Sequence, residues 1–412
     1  MTPSTSEGLT SVRYGTNCKE PPYSWVIDTA VATTAAQLRE LAARHGASSF
    51  GVTSAEPFTE ALNTLRNHKT SGLSGSLRFT YDEPEVATDI RRSFPWARSV
   101  IVIGVNYLAS SSGPAPTGAI VARFATGDHY EAVRSVTGEI AHQIEALGGN
   151  TEVLIDDNRL VDRTAAARSG VGWIGKSTML LAPGDGPWML LGTVVTDIKL
   201  EPTSPMSRGC GTCVACIPAC PTDAITPDGI DTRRCLSAML QTAGSLPHWI
   251  RPTLGRRIYG CDDCLTSCPP GGKTLENVGN KPLRLPFTEL LEMADEQLLD
   301  RFSWWYVPRR DGRFIRRNLL VAAGNSREAS VLEAIERHLS HRSSMIRSHA
   351  AWALARATGK RARKRLIDVL DQERAPEARF EMALALVMID HPGDYEAFLA
   401  LDELSATTTI AL

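Results

Sequence analysis

Eight of the nine cysteines fall between residues 210 and 268, and their spacing is the most chemically specific feature of the chain. The first run is Cys210-x2-Cys213-x2-Cys216-x3-Cys220-Pro221. The second is Cys261-x2-Cys264-x3-Cys268-Pro269, and Cys235 stands between them. In the first run three thiolates are close enough to converge on three corners of one iron–sulfur cube, while the fourth crosses to another. If the last cysteine of each run crosses over, two sets of four result. Cys210, Cys213, Cys216 and Cys268 then hold one 4Fe–4S cluster, and Cys220, Cys235, Cys261 and Cys264 hold the other. Zinc would instead take two separated Cys-x2-Cys pairs. Disulfides suit small exported scaffolds, and no charged-then-apolar export signal is apparent.

Elements must be supplied to position these thiolates. At 412 residues and 43% apolar composition the chain can form two or three domains, each with its own core. Residues 1–22, rich in Ser, Thr, Gly and Pro, read as a mobile arm in which Cys18 is an incidental thiol. From 23 to 205 strands alternate with helices: a helix through Leu38, Leu41 and Ala42, a strand at Ser49–Val52, and the apolar run Ser99–Tyr107. An amphipathic helix over 130–147 follows, then strands at Thr151–Ile155 and Trp188–Thr196. Residues 206–285 form a ferredoxin-like two-cluster domain, and 286–412 a helical linker and repeats. The fold class is therefore α+β. No apolar run reaches transmembrane length, so no membrane partner is expected, and a reducing cytoplasm suits oxygen-sensitive clusters.

The last hundred residues repeat. Ile315-Arg316, Ile346-Arg347 and Ala378-Arg379 each open a small-residue-rich helical run, at intervals of 31 and 32 residues. That period fits stacked helix pairs of the HEAT type, with an ordinary bundle as the alternative. Charge is concentrated here: residues 301–365 hold sixteen Lys/Arg and four Asp/Glu, a net of +12 within a chain of net −2. So uneven a distribution points to a polyanion, of which nucleic acid is the commonest.

The segment Gly170-Val-Gly-Trp-Ile-Gly175-Lys176-Ser177 satisfies both GxxxxGK[ST] and GxGxxG. Either mechanism needs a strand before the glycines and a helix after them. Here a helix-forming stretch (162–169) precedes and a strand-like one (178–181) follows, so nucleotide binding is rejected. Asp156 and Asp157 end the strand just upstream. There a carboxylate can cap a turn, or can act as an acid if desolvation raises its pKa.

Together these pieces resemble the epoxyqueuosine reductase family. The matching stretches include Phe94-Pro95-x-Ala97-Arg98-Ser99-Val100-Ile101, Asn106-Tyr107, Gly170 through Lys176, Trp188 through Asp197, both cysteine runs, Arg234-Cys235 and Tyr259-Gly260-Cys261-Asp262. The resemblance implies a nitroreductase-like cobalamin-binding domain, two 4Fe–4S clusters and HEAT-like repeats that grip tRNA with a GUN anticodon. It implies reduction of epoxyqueuosine at the wobble position, with Asp156 as catalytic acid. Cobalamin would contact Asp156, Trp173, Gly175, Leu180 and Leu191, near the cluster held by Cys261 and Cys264. Arg309, Arg310, Arg313, Arg316 and Arg317 would hold RNA phosphates. A flavodoxin- or ferredoxin-like carrier would donate single electrons to a monomeric enzyme. Three stretches depart from the family pattern: Ala87-Thr88-Asp89-Ile90, Phe124 through Tyr130-Glu131, and Cys268-Pro269-Pro270-Gly271. The competing readings are a cobalamin reductase for another substrate, akin to reductive dehalogenases, and a non-catalytic electron carrier.

Overall fold

The computed structural model describes residues 34–109, 117–279 and 283–407. The arm read over residues 1–22, with Cys18, lies outside the described residues. No described helix is long and apolar enough to cross a membrane.

The first part is built on a four-stranded sheet. Helix α1 (Ala35–Arg44) is opened by a capping box at Thr34 and leads into β1 (Ser49–Ser54). After a long excursion come β2 (Ser99–Asn106), α2 (Tyr130–Glu145), β3 (Thr151–Leu154), α3 (Asp162–Arg168) and β4 (Met189–Thr196). The spatial order is β1-β2-β4-β3, and every neighbouring pair is antiparallel. The unbroken apolar run of β2 is explained by helices on both faces. Ile101, Ile103 and Val105 pack with Leu38, Val133 and Ile140 on one side, while Val100 and Val102 pack with Ala165 and Ala166 on the other. Period-two alternation thus sorts one run of aliphatics between two cores. Gly192 lets α2 lie close on β4, because a Cβ there would come 2.5 Å from Val133 Cγ1.

The GVGWIGK segment follows α3 as a small hairpin, Trp173–Ile174 pairing antiparallel with Leu180–Leu181. Helix before and strand after is the reverse of a phosphate-binding loop, as the residue order predicts.

The cysteine region has only short elements, helices at Cys216–Ala219, Leu236–Leu240 and Asp263–Thr266 among them. A three-stranded sheet binds it to the rest. Ala119–Val121 lies at the centre, parallel to Arg257–Tyr259 and antiparallel to Leu283–Leu285. A strand from the first part therefore completes a sheet made otherwise after the cysteines, a pairing that no local pattern announces.

The C-terminal part stacks α4 (Arg313–Ser326), α5 (Leu332–Arg337), α6 (Ser344–Thr358), α7 (Arg363–Leu370), α8 (Pro376–Asp390) and α9 (Pro392–Thr407). The long helices α4, α6 and α8 bury nearly continuous small-residue faces, and an added Cβ at Gly324 would meet Ala353 Cα at 2.7 Å. The repeating arginines are structural. Arg316 donates to Asp295 and to the carbonyls of Leu291 and Met293. Arg347 donates to Glu373 and to the His341 carbonyl, and Arg379 to the Leu370 and Glu373 carbonyls. Each fastens its helix to the preceding connection, satisfying carbonyls that would otherwise be left bare.

Candidate active site

Asp156 occupies the turn after β3 with φ of 51°, a left-handed conformation that costs a non-glycine residue free energy and marks a position held by its surroundings. Its carboxylate Oδ2 accepts from the hydroxyl of Tyr130, the first residue of α2, at 3.3 Å. Asp156 is solvent-accessible, yet protein atoms crowd around it, so it lies on the wall of a cleft. That crowding raises its pKa above the usual carboxylate range, and the negative charge of Asp162 adds to the effect. The Tyr130 bond and the Arg163 guanidinium pull the other way. Burial also pushes Tyr130, Tyr107 and Tyr259 above the ordinary tyrosine value, so all three are neutral hydrogen-bonding groups here.

The cysteines converge from two directions. The described ones are free of disulfides. Repulsion on Cys268 comes from Cys210, Cys213 and Cys216, and repulsion on Cys264 comes from Cys261, Cys235 and Cys220, with Cys216 weakest. Those neighbourhoods divide the thiols four and four. Among the described residues no three His, Cys, Asp or Glu side chains close tightly enough on a single metal ion. A four-iron cube, by contrast, requires its thiolates held apart at its corners. Burial drives the Cys261 thiol up to about 12, a cost that iron's positive charge would offset.

The two sets differ in depth. Cys213 is exposed, whereas Cys235, Cys261 and Cys264 are crowded by protein. Cys264 acts on buried Tyr107, and Tyr107 in turn interacts with Tyr130, so the deeper set borders the Asp156 cleft. Arg163, beside Asp156, also acts on Cys235. A buried ion pair locks this wall: Arg123 Nη1 lies 2.9 Å from Asp262 Oδ2, between Cys261 and Cys264 in sequence, and its guanidinium covers Trp188.

Lys176, the lysine of the false phosphate loop, has a definite task. Its Nζ donates to the carbonyls of Gly211 at 3.0 Å and Cys213 at 2.9 Å. Gly175 fits the tight hairpin, where an added Cβ would stand 2.9 Å from Leu181 Cδ1, and it lies in contact range of Cys210 Sγ. The hairpin is therefore a brace for the first cysteine loop. Trp173 is buried beside it with its Nε1 unpartnered, and Arg208 covers its ring at 4.7 Å. An orphaned buried donor is uncommon and suits a ligand amide or carbonyl. Of the other expected cofactor contacts, Leu180 is buried with Val171 and Ala182, and Leu191 is partly buried against the same cluster.

The aromatic run Trp304-Trp305-Tyr306 joins the repeats to this wall. Trp304 and Trp305 both donate their indole N–H to the Ala125 carbonyl, at 2.9 and 2.8 Å. Trp305 stacks between Tyr259 and Phe302. The Tyr259 hydroxyl stands 3.1 Å from the Tyr306 carbonyl, and Tyr259 also feels the Asp156 charge. Tyr306 itself is exposed, and beside it Arg309 and Arg310 adopt consecutive left-handed conformations with exposed side chains. Arg313 is exposed but engaged by Asp311 at 2.6 Å. Arg316 and Arg317 are not available to RNA, contrary to expectation. Arg316 is buried against Asp295, and Arg317 is fully buried, donating to the carbonyls of Thr242 and Gly244. Sequence patterning missed Tyr130, Tyr259 and Arg163, because no spacing signal connects residues that only the tertiary fold assembles.

Two convergent sets of thiols beside a cleft with a poised carboxyl group, carried on a helical repeat array, define an iron–sulfur oxidoreductase. Residues 209–271 match the 4Fe-4S double cluster binding domain and residues 313–393 match HEAT repeats. The chain is 30% identical to epoxyqueuosine reductase of Staphylococcus aureus over 83% of its own length and 93% of that protein. It is 31% identical to the Xanthomonas campestris enzyme over 78% and 95% respectively. A crystal structure of epoxyqueuosine reductase with an epoxyqueuosine-modified tRNA stem loop superposes with TM-score 0.78 at 26% identity, covering 86% of this chain and 98% of that one. The Bacillus subtilis enzyme, solved with its catalytic aspartate loop swung out of the active site, superposes equally well, with TM-score 0.78. The chain belongs to the epoxyqueuosine reductase family.

Proposed function

We propose that this protein reduces epoxyqueuosine in the anticodon loop of tRNA to queuosine, with Asp156 as the proton donor. The observation that carries the reading is an acid with a raised pKa, hydrogen-bonded by Tyr130, beside the deeper set of four cysteines. Removing the epoxide oxygen as water consumes two electrons and two protons. Cys210, Cys213, Cys216 and Cys268 hold one 4Fe–4S cluster; Cys220, Cys235, Cys261 and Cys264 hold the other, closer to the cleft. An external one-electron carrier reduces the shallower cluster.

The first domain is read as a nitroreductase-like cobalamin-binding unit. The unpartnered Trp173 Nε1 and accessible Asp156 are compatible with a corrin held over this cleft. When bound, cobalamin supplies the low-potential reducing chemistry that opens the epoxide. The cleft disfavours the Asp156 carboxylate and so raises its pKa, which suits this group to deliver a proton to the epoxide oxygen. Tyr130 holds the carboxyl in place. Tyr306, Arg309 and Arg310 hold the RNA beside Tyr259, phosphates on the guanidiniums and a base against the exposed ring.

The test is anaerobic turnover. Protein reconstituted with iron, sulfide and cobalamin is given a chemical reductant and epoxyqueuosine-containing tRNA, and the digested nucleosides are read by mass spectrometry. Loss of one oxygen, abolished in Asp156→Ala, is the expected result. No conversion by fully loaded protein would overturn the substrate assignment.

A further inference from the structure

Three of the nine large apolar side chains exposed among the described residues gather at one place. Val214 (50% exposed) and Ile217 (36%) flank Cys216 in the first cysteine loop, and the Ile217 amide donates to the Val214 carbonyl at 3.0 Å. Ile174 (45%) projects from the hairpin two residues before Lys176, whose ammonium grips the Gly211 and Cys213 carbonyls of that same loop. Exposed Cys213 lies among them. The rim is cationic: Lys176 is the charged side chain acting on Cys216, and exposed Arg208 lies over Trp173 in the same hairpin.

Nothing in the fold requires this loop to be bare. The other cysteine set is enclosed by Tyr107, Arg123 and the strand at Arg257–Tyr259, whereas this one presents aliphatic side chains to water. An apolar centre with a charged rim is the anatomy of a transient protein interface, and electron-transfer encounters are the smallest of these. The aliphatic centre disfavours a polyanionic RNA, and the rim selects a partner of negative charge, steering its approach from beyond contact distance.

We propose that the face formed by Ile174, Val214 and Ile217, rimmed by Lys176 and Arg208, docks an acidic one-electron carrier protein that reduces the cluster of Cys210, Cys213, Cys216 and Cys268. This rests on the cluster reading above and adds the entry point and the charge of the partner. In each encounter the carrier is oxidised by one electron and the cluster reduced by one. Two encounters deliver the pair that the epoxide consumes.

The test uses the full chain loaded with both clusters, under nitrogen, with a reduced acidic flavodoxin as the probe. Cluster bleaching is followed by stopped flow, and binding of the oxidised flavodoxin is measured separately by calorimetry. Val214→Glu and Ile217→Glu are expected to slow bleaching by flavodoxin at least about tenfold and weaken binding to match, most strongly at low ionic strength. Val214→Lys retains or raises both. Bleaching by a small viologen radical, which needs no docking, stays within about twofold in every variant, and iron content stays constant. Equal flavodoxin rates in Val214→Glu and Val214→Lys would overturn the docking face while leaving the clusters intact. Self-association of the unsubstituted chain that Val214→Glu abolishes would give the face to a second copy instead. An unsubstituted protein that no reductant bleaches would overturn the cluster reading, and the docking face with it.

Discussion

Asp156 is reachable from solvent and still surrounded by protein, a combination that lets a substrate meet a carboxyl group whose charged form is disfavoured. The sign of its pH response follows. Because the folded pKa is raised, the proton is held at pH values where an ordinary aspartate has lost it, and single-turnover conversion falls as pH rises through that raised value. Tyr130→Phe removes a bond that favours the carboxylate, so the falling limb moves to higher pH. A limb that moves down or stays put would show that Tyr130 does not act on Asp156. Asp156→Ala is expected to lower the rate by about 100-fold or more, the usual scale for a lost general acid, with cluster content unchanged. The cysteines were legible from spacing, because ligands to one cube must lie close in sequence or at a crossing point. The arginines were not. Arg309 and Arg316 are equally basic in sequence, and only burial separates an exposed cation from one whose charge is consumed by Asp295.

At the level of single elements the hairpin and the repeats carry testable consequences. Lys176→Met removes two charge-assisted hydrogen bonds to the first cysteine loop, each worth about 1.5–3 kcal/mol. The expected result is lower iron occupancy in that set alone, read by electron paramagnetic resonance of the reduced protein. In the repeats, Arg347 holds Glu373 down to about 2. A depressed carboxylate stabilises the fold above its unfolded pKa, and that contribution is lost as pH falls from the ordinary glutamate range towards 2. Arg347→Ala should therefore cost on the order of 2 kcal/mol near neutrality and progressively less in acid, measured by urea denaturation. Helical periodicity made these repeats readable, since each opens with the same aliphatic–arginine or alanine–arginine pair. The hairpin's direction was readable too, from helix formers before the glycines and strand formers after. Its duty as a brace was not, because Lys176 acts across more than thirty residues on backbone that carries no sequence signature.

Across the whole molecule, the net +12 of residues 301–365 overstates the charge on offer to RNA. Arg316 and Arg317 are internal, and Arg313, Arg337, Arg347 and Arg363 are engaged by carboxylates. Arg309→Ala and Arg310→Ala should each weaken tRNA-fragment binding and lower its log–log salt slope by roughly one for each phosphate no longer neutralised. Arg316→Ala should instead cost about 3–5 kcal/mol of stability by leaving Asp295 buried without its partner. Filter binding at several salt concentrations, alongside chemical denaturation, separates the two effects. The α+β class and the order of parts followed from patterning, but the sheet joining Ala119–Val121 to Arg257–Tyr259 and Leu283–Leu285 did not. Three-residue strands have no period to detect.

That central strand has a history as well as a place. On the ribosome Ala119–Val121 emerges long before either neighbour exists; one edge stays open until the chain has passed residue 259, and the other until it has passed residue 285. At about 5–20 residues per second the wait is on the order of ten to thirty seconds. The cysteine loops emerge within that interval, before the sheet that encloses the deeper set can close. The nascent chain therefore has a window in which those thiols stand open, and iron delivered then meets a site that later folding seals.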